Sequence, residues 1–436
     1  MHRVLNRTKR QRMHSFFARR CIVVLFFTLP TVAPLNAQDL AAIEPERVGM
    51  SSERLERLDD VLQRYVDDRR LPGAALLVAR SGSVVYHKAF GFRDVESGAA
   101  LRPDDLFRIA SQTKALISVG IMMLQERGDL LISDPLHAYI PAFDSMTVAV
   151  QGDGDTYKVV DAERPITLRH LLTHTSGIGY GWGPAADRWD ESGIQGWYFA
   201  DRDEPIGATV ERMADLPIDA QPGEAFVYGY STDILGVVIE RVSEQPLDEF
   251  LRAEILEPLR MNDTHFYVPA EDAERLTTVY SREDQTLSRA PDPGHMVGQG
   301  AYLSGPRKSF SGGAGLVSTP GDYARFLEML RRGGELDGAR ILSPKTVELM
   351  TDDHLEQVPF NEGEGFGLGF SVLEDLGSRG VPGSVGEYGW GGAYHSSYWV
   401  DPQEELVVVY MTQVIPAEGL DDSAKVRTLV YQAIVE

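Results

Sequence analysis

The sequence sets a serine and a lysine three residues apart, Ser111 and Lys114, at the head of the run "SQTKALISVGIMMLQERG". From Ala115 to Leu124 that run holds only apolar or small residues, which reads as a helix buried on every side. Positions i and i+3 share a helix face, so the Ser111 hydroxyl and the Lys114 amine lie side by side. A serine hydroxyl is a weak nucleophile at neutral pH and needs a base. Burial is what makes a lysine amine available as one. The pair could therefore carry out acyl transfer through a covalent serine intermediate. A lone S-x-x-K also arises by chance, and most such lysines are solvated, so the rest of the chain has to support the reading.

The elements that must position this pair come from both ends of the chain. "SSERLERLDDVLQRYVDD" has helical spacing, with serine available as a cap. "GAALLVARSGSVVYHKAFGF" gives two β-rich runs around Ser81-Gly82, a hairpin signal. Near the other end, "SSYWVDPQEELVVVYMTQ" gives two more strands joined by a turn at Asp401-Pro402, and "DDSAKVRTLVYQAIV" closes the chain as a helix. Mostly helical segments lie between. The expected fold is α/β: an antiparallel sheet flanked by helices, built from both chain ends, with an inserted, mainly helical subdomain.

Four stretches in order, "LFRIASQTK", "ITLRHLLTHTSGI", "SGGAGLVSTPGDYARFLEMLRRGG" and "GFGLGF", carry a family resemblance. From about residue 45 to its C-terminus the chain resembles the serine β-lactamase and penicillin-binding-protein superfamily. Within it, the chain is similar to the class C-like branch that includes the family VIII carboxylesterases. The resemblance implies a β-lactamase/transpeptidase-like fold with Ser111 as nucleophile. It also implies a tyrosine sharing the proton network, eight or nine residues before the glycine of a Leu-Gly pair. Tyr228 lies eight before Gly236 and is the choice; Tyr230 lies six before it and is the fallback. A cation beside a phenol favours the phenolate, so tyrosine suits general-base work here, and the choice between Lys114 and Tyr228 stays open.

Two departures from the family pattern bear on substrate. The third position of the family's Y-x-N is Tyr230 rather than asparagine, which weakens lactamase and peptidase readings. No K-T-G occurs, and Trp390-Gly391-Gly392 fills its slot in "YGWGGAYH", as in the family VIII esterases. Lysine or histidine there would attract a substrate carboxylate, whereas tryptophan offers an apolar wall and one indole N–H. The glycines let backbone approach the substrate. By the family's geometry, the N–H groups of Ser111 and Ala393 form the oxyanion hole. His395 stands where a small residue is more usual and reads only as a pocket-rim residue.

Other signals are weaker. His170 and His174 have a zinc-compatible i, i+4 spacing, but Leu171 stands where the metalloprotease motif has glutamate, so the segment reads as structural and no metal site is expected. There is no complete G-x-S-x-G, P-loop or dinucleotide fingerprint. Trp182, Trp189 and Trp197 crowd a Gly- and Asp-rich excursion, which reads either as a binding wall favouring bulky apolar groups or as loop anchors.

The 436 residues carry a formal charge of −23, which argues against nucleic acid and anionic lipid as partners. The first 37 residues hold seven Lys/Arg and no acid, then an apolar run from Cys21 to Leu29 and small residues near Ala37. That layout is a secretory signal peptide over residues 1–37, preceding a hydrolase domain over 38–436. The run is too short to span a membrane, so no stable insertion is expected after its removal. Cys21 is the single cysteine, leaving no disulfide in the mature chain. The expectation is a periplasmic or secreted serine hydrolase acting on a small ester or amide, with no metal or cofactor. A β-lactamase or D-amino-acid-specific peptidase is the second reading, and a non-catalytic scaffold of the same fold is the third.

Overall fold

The computed structural model describes residues 40–436 other than Asp155, and the expected leader lies outside them. Its central feature is one antiparallel sheet of eight strands: β1 (Gly73–Arg80), β2 (Ser83–Asp94), β3 (Ala99–Ala100), β4 (Glu364–Phe366), β5 (Ser371–Leu373), β6 (Tyr388–Gly392), β7 (Ser396–Asp401) and β8 (Leu406–Met411). Their spatial order is β4-β5-β6-β7-β8-β1-β2-β3. The N- and C-terminal parts meet at β1 and β8, where Leu76 faces Tyr410 and Leu77 faces Val409. Ser81 and Gly82 turn β1 into β2 with φ of 51° and 80°, the two left-handed residues a tight hairpin needs.

Alternation along the strands decides what each face meets. Ala74, Leu76 and Val78 of β1, with Val408 and Tyr410 of β8, pack on one side with Leu55, Leu58 and Leu62 of α1 (Ser52–Asp67). Val426 and Val430 of the last helix join them. Ala75, Leu77, Val407 and Val409 face the other way, into the main core with α2 (Thr113–Arg127), α3 (Ser231–Ser243) and α4 (Pro320–Arg331). Ser51 caps α1, its hydroxyl accepting from the Arg54 N–H. The last helix, α5 (Asp422–Tyr431), closes the chain where the sequence places it.

α2 is the buried axis of the inserted part: every residue from Thr113 to Leu124 is buried, as its all-round apolar composition requires. The insertion also holds β-hairpins that the helical expectation passed over. One pairs Thr147–Gln151 with Tyr157–Asp161, and its valines at 150, 159 and 160 stay exposed. A hairpin with so little burial gives a weak apolar pattern, which is why its residues read as linker. Among the described residues no helix is long and apolar enough to cross a membrane.

Candidate active site

Ser111 stands on a turn of 3-10 helix, Ala110–Gln112, that runs directly into α2. Ala110 holds φ at 43°, a left-handed conformation costing an alanine about 1 kcal/mol. The turn is fastened around that strain. The Ile109 N–H donates to Leu316 O at 3.0 Å. The buried Arg108 guanidinium donates to Gln299 O and Thr277 O at 2.9 and 2.6 Å. The Tyr323 hydroxyl donates to Gln112 O at 2.8 Å.

Lys114 is 2 % exposed, and its ammonium reaches three acceptors: Ser111 Oγ at 3.2 Å, Tyr180 Oη at 3.0 Å and Gly313 O at 2.8 Å. All three are neutral groups, so the charge has no carboxylate in contact. The ammonium also lies 4.6 Å from the Tyr228 ring centroid, within cation–π range. Ser111 and Lys114 thus meet as the i, i+3 spacing requires.

Tyr228 lies beside the pair. Its ring lies beside the lysine, while its hydroxyl accepts from the Trp390 indole N–H at 2.9 Å. The tyrosine bonded to the lysine is Tyr180, which also hydrogen-bonds Ser111. Burial first, then the neighbouring Tyr228 and Asp233, push the Tyr180 phenol well above its ordinary range. It therefore remains a protonated hydrogen-bond partner at neutral pH. Sequence reasoning missed Tyr180; its signal was position, two residues beyond "HTSGI" on a glycine-flanked turn. Tyr230, the fallback, is fully buried and donates to Gly196 O at 2.8 Å, pinning the excursion instead.

Trp390 is on β6, paired with Tyr398 of β7. Its ring meets Tyr228, Phe366 and Phe360, with centroids 5.5, 5.2 and 6.5 Å away. Its ring packs among aromatic side chains while its N–H donates to the tyrosine. Gly392 ends the strand where no side chain fits: a Cβ there would lie 2.5 Å from Ile109 O. That contact brings the β6 edge onto the nucleophile turn. Gly391 precedes it on the same strand, and Ala393 opens the turn to β7. Neither the Ser111 nor the Ala393 N–H donates to a backbone carbonyl among the described residues. His395 holds φ at 62°, and its Nε2 meets the buried Asp422 carboxylate at 2.8 Å. It therefore anchors the turn rather than merely rimming a pocket.

The histidine pair has structural duties. His170 Nδ1 accepts from the Thr167 N–H, completing a helix cap. His174 is buried among Tyr228, Phe226 and Phe366, and burial followed by Lys114 drives it well below its ordinary range, leaving it neutral. Among the described residues no cluster of three or more His, Cys, Asp or Glu is placed to hold a metal ion. The three tryptophans divide. Trp189 is buried, donating to Pro217 O at 3.0 Å, and Trp197 packs its edge on Tyr394. Trp182 is 57 % exposed beside Tyr180.

The chain is similar to known proteins over most of its length. The family model described as Beta-lactamase matches residues 58–431. "Protein Rv1367c" of Mycobacterium tuberculosis is 34% identical over 384 residues, covering 84% of this chain and 91% of the relative. "Esterase EstB" of Burkholderia gladioli is 32% identical over 398 residues, covering 88% and 93%. Among solved structures, "EstCE1, a hydrolase with promiscuous acyltransferase activity" superposes with a TM-score of 0.75 at 29% identity, covering 87% of this chain and 99% of that one. The chain belongs to the Beta-lactamase family and is a serine hydrolase of that fold.

Proposed function

We propose that this protein hydrolyses carboxylic esters of small molecules through an acyl-enzyme on Ser111. The observation that carries the reading is the 3.2 Å contact between Ser111 Oγ and the Lys114 amine inside a buried helix start. Ser111 Oγ attacks the ester carbonyl, and its proton passes to the Lys114–Tyr228 pair, with the Lys114 nitrogen 3.2 Å from Ser111 Oγ. The Tyr180 phenol, hydrogen-bonded to the Lys114 nitrogen at 3.0 Å, holds it in line. The N–H groups of Ser111 and Ala393 receive the negative charge on the carbonyl oxygen. The carbon–alkoxide bond then breaks, the leaving alcohol takes the proton back, and water attacks the acyl-serine by the same route. The acid leaves and Ser111 recovers its proton.

Trp390 favours esters over β-lactams and peptides. The slot that would carry a cation for a substrate carboxylate holds an indole, and its N–H is already engaged by Tyr228. "Esterase EstB" and "Lovastatin esterase" among the relatives agree with an ester substrate. The basic, apolar leader over residues 1–37 supports export to the periplasm or the medium. The test is hydrolysis of a short-chain nitrophenyl ester against a chromogenic cephalosporin. Turnover of the ester, lost in Ser111→Ala, with little cephalosporin turnover fits the proposal; the opposite preference makes the protein a β-lactamase.

A further inference from the structure

The Lys114 ammonium is buried, and every atom it touches is uncharged. An isolated cation in such a place is costly, so its countercharge has to be sought one layer out. Asp233 on α3 is 1 % exposed, and its Oδ1 accepts from the Gly313 N–H at 3.0 Å and from Ser311 Oγ at 2.6 Å. Gly313 is the residue whose carbonyl accepts the lysine's hydrogen bond at 2.8 Å. The second oxygen, Oδ2, has no hydrogen-bond partner among the described residues and lies against Gly313, where a Cβ would be only 2.3 Å away. One residue thus separates a buried carboxylate from a buried ammonium.

We infer that Asp233 is the countercharge of Lys114, acting across Gly313 to set the proton affinity of the Ser111–Lys114–Tyr228 group. It is a positioning residue, since it touches neither Ser111 nor substrate, and the inference rests on the ester hydrolase reading. The other titratable groups facing Lys114 are Tyr180, Tyr228 and His174, of which none is an acid carrying charge at neutral pH in its ordinary form. Tyr230, at the start of α3, is the phenol nearest Asp233 along that element. Burial holds the Asp233 carboxyl above its ordinary range, with Ser311 and then Lys114 opposing the rise.

Asp233→Asn keeps the shape and the acceptor oxygen but removes the charge. Losing an anion near the site makes both the lysine ammonium and a neutral Tyr228 easier to deprotonate. The acid limb of the kcat/KM pH profile for a nitrophenyl ester therefore moves to lower pH by about one unit, whichever group is the base. Ser311→Ala removes one hydrogen bond to the carboxylate and serves if the asparagine variant does not fold; it moves the same limb in the same direction by less. Circular dichroism and the thermal midpoint establish that each variant is folded. A folded Asp233→Asn variant with an unmoved acid limb overturns the inference and leaves Asp233 a loop anchor. Wild-type protein that hydrolyses no ester overturns the parent reading instead.

Discussion

Trp390→Phe keeps an aromatic ring against Tyr228 but deletes the indole N–H that its hydroxyl accepts at 2.9 Å. If that donor tunes the tyrosine for proton transfer, kcat for a nitrophenyl ester falls about tenfold, the worth of one hydrogen bond, while KM changes little. A change confined to KM would make Trp390 a substrate wall only. At this scale the sequence was legible where chemistry is local. Ser111 and Lys114 are neighbours on one helix start, so spacing alone placed them together. The Tyr180 contact to Lys114 spans 66 positions and depends on how a loop folds, which no periodicity encodes. The function of Trp390 was half legible: the residue type announced a wall, and only the fold could show where its N–H points.

The site is carried on two elements, the nucleophile turn and the end of β6, held in contact at Gly392. A side chain there would strike Ile109 O, so Gly392→Ala forces β6 and the turn apart. The expected result is at least about a hundredfold loss in kcat/KM with a thermal midpoint lowered by several degrees, measured by ester hydrolysis and differential scanning calorimetry. A third element, the glycine-flanked loop bearing Tyr180, folds over the Asp219 carboxylate, which lies against Gly179 and Gly183. Burial raises that carboxyl from its ordinary 3.8 to about 6. An acid raised on folding stabilises the protein below its unfolded value, and the contribution is lost as pH rises through about 6. The thermal midpoint of the wild type should therefore fall between pH 4 and pH 7, by an amount worth about 1–2 kcal/mol after allowing for partial solvent access. Asp219→Asn should flatten that slope; an unchanged slope would assign it to other carboxylates. Elements with a strong local signal, such as the amphipathic α1, the all-apolar α2 and the β1–β2 hairpin, were readable from the sequence. The 147–161 hairpin was not, because only Val148 and Ala149 of its strands are buried while Val150, Val159 and Val160 are exposed, which leaves no alternating pattern.

Across the whole molecule, the sheet joins β1 near one end to β8 near the other, so the fold closes only when most of the chain is present. That closure was visible in the sequence as strand signals at both ends, although strand order was not, since pairing partners leave no local mark. Removing the seven basic residues of the leader leaves a formal charge of −30, with 35 basic residues against 65 acidic ones. Expression in a bacterium with an intact secretion pathway should yield a mature protein beginning near Gln38, read by intact mass. Full-length protein retained with cells would mean an anchor. All of this converges on one atom. Mass spectrometry of the enzyme, acid-quenched during turnover of a slowly deacylating ester, should find the acyl group bonded to Ser111 and to no other residue. An acyl adduct elsewhere, or undiminished turnover by Ser111→Ala, would contradict the account.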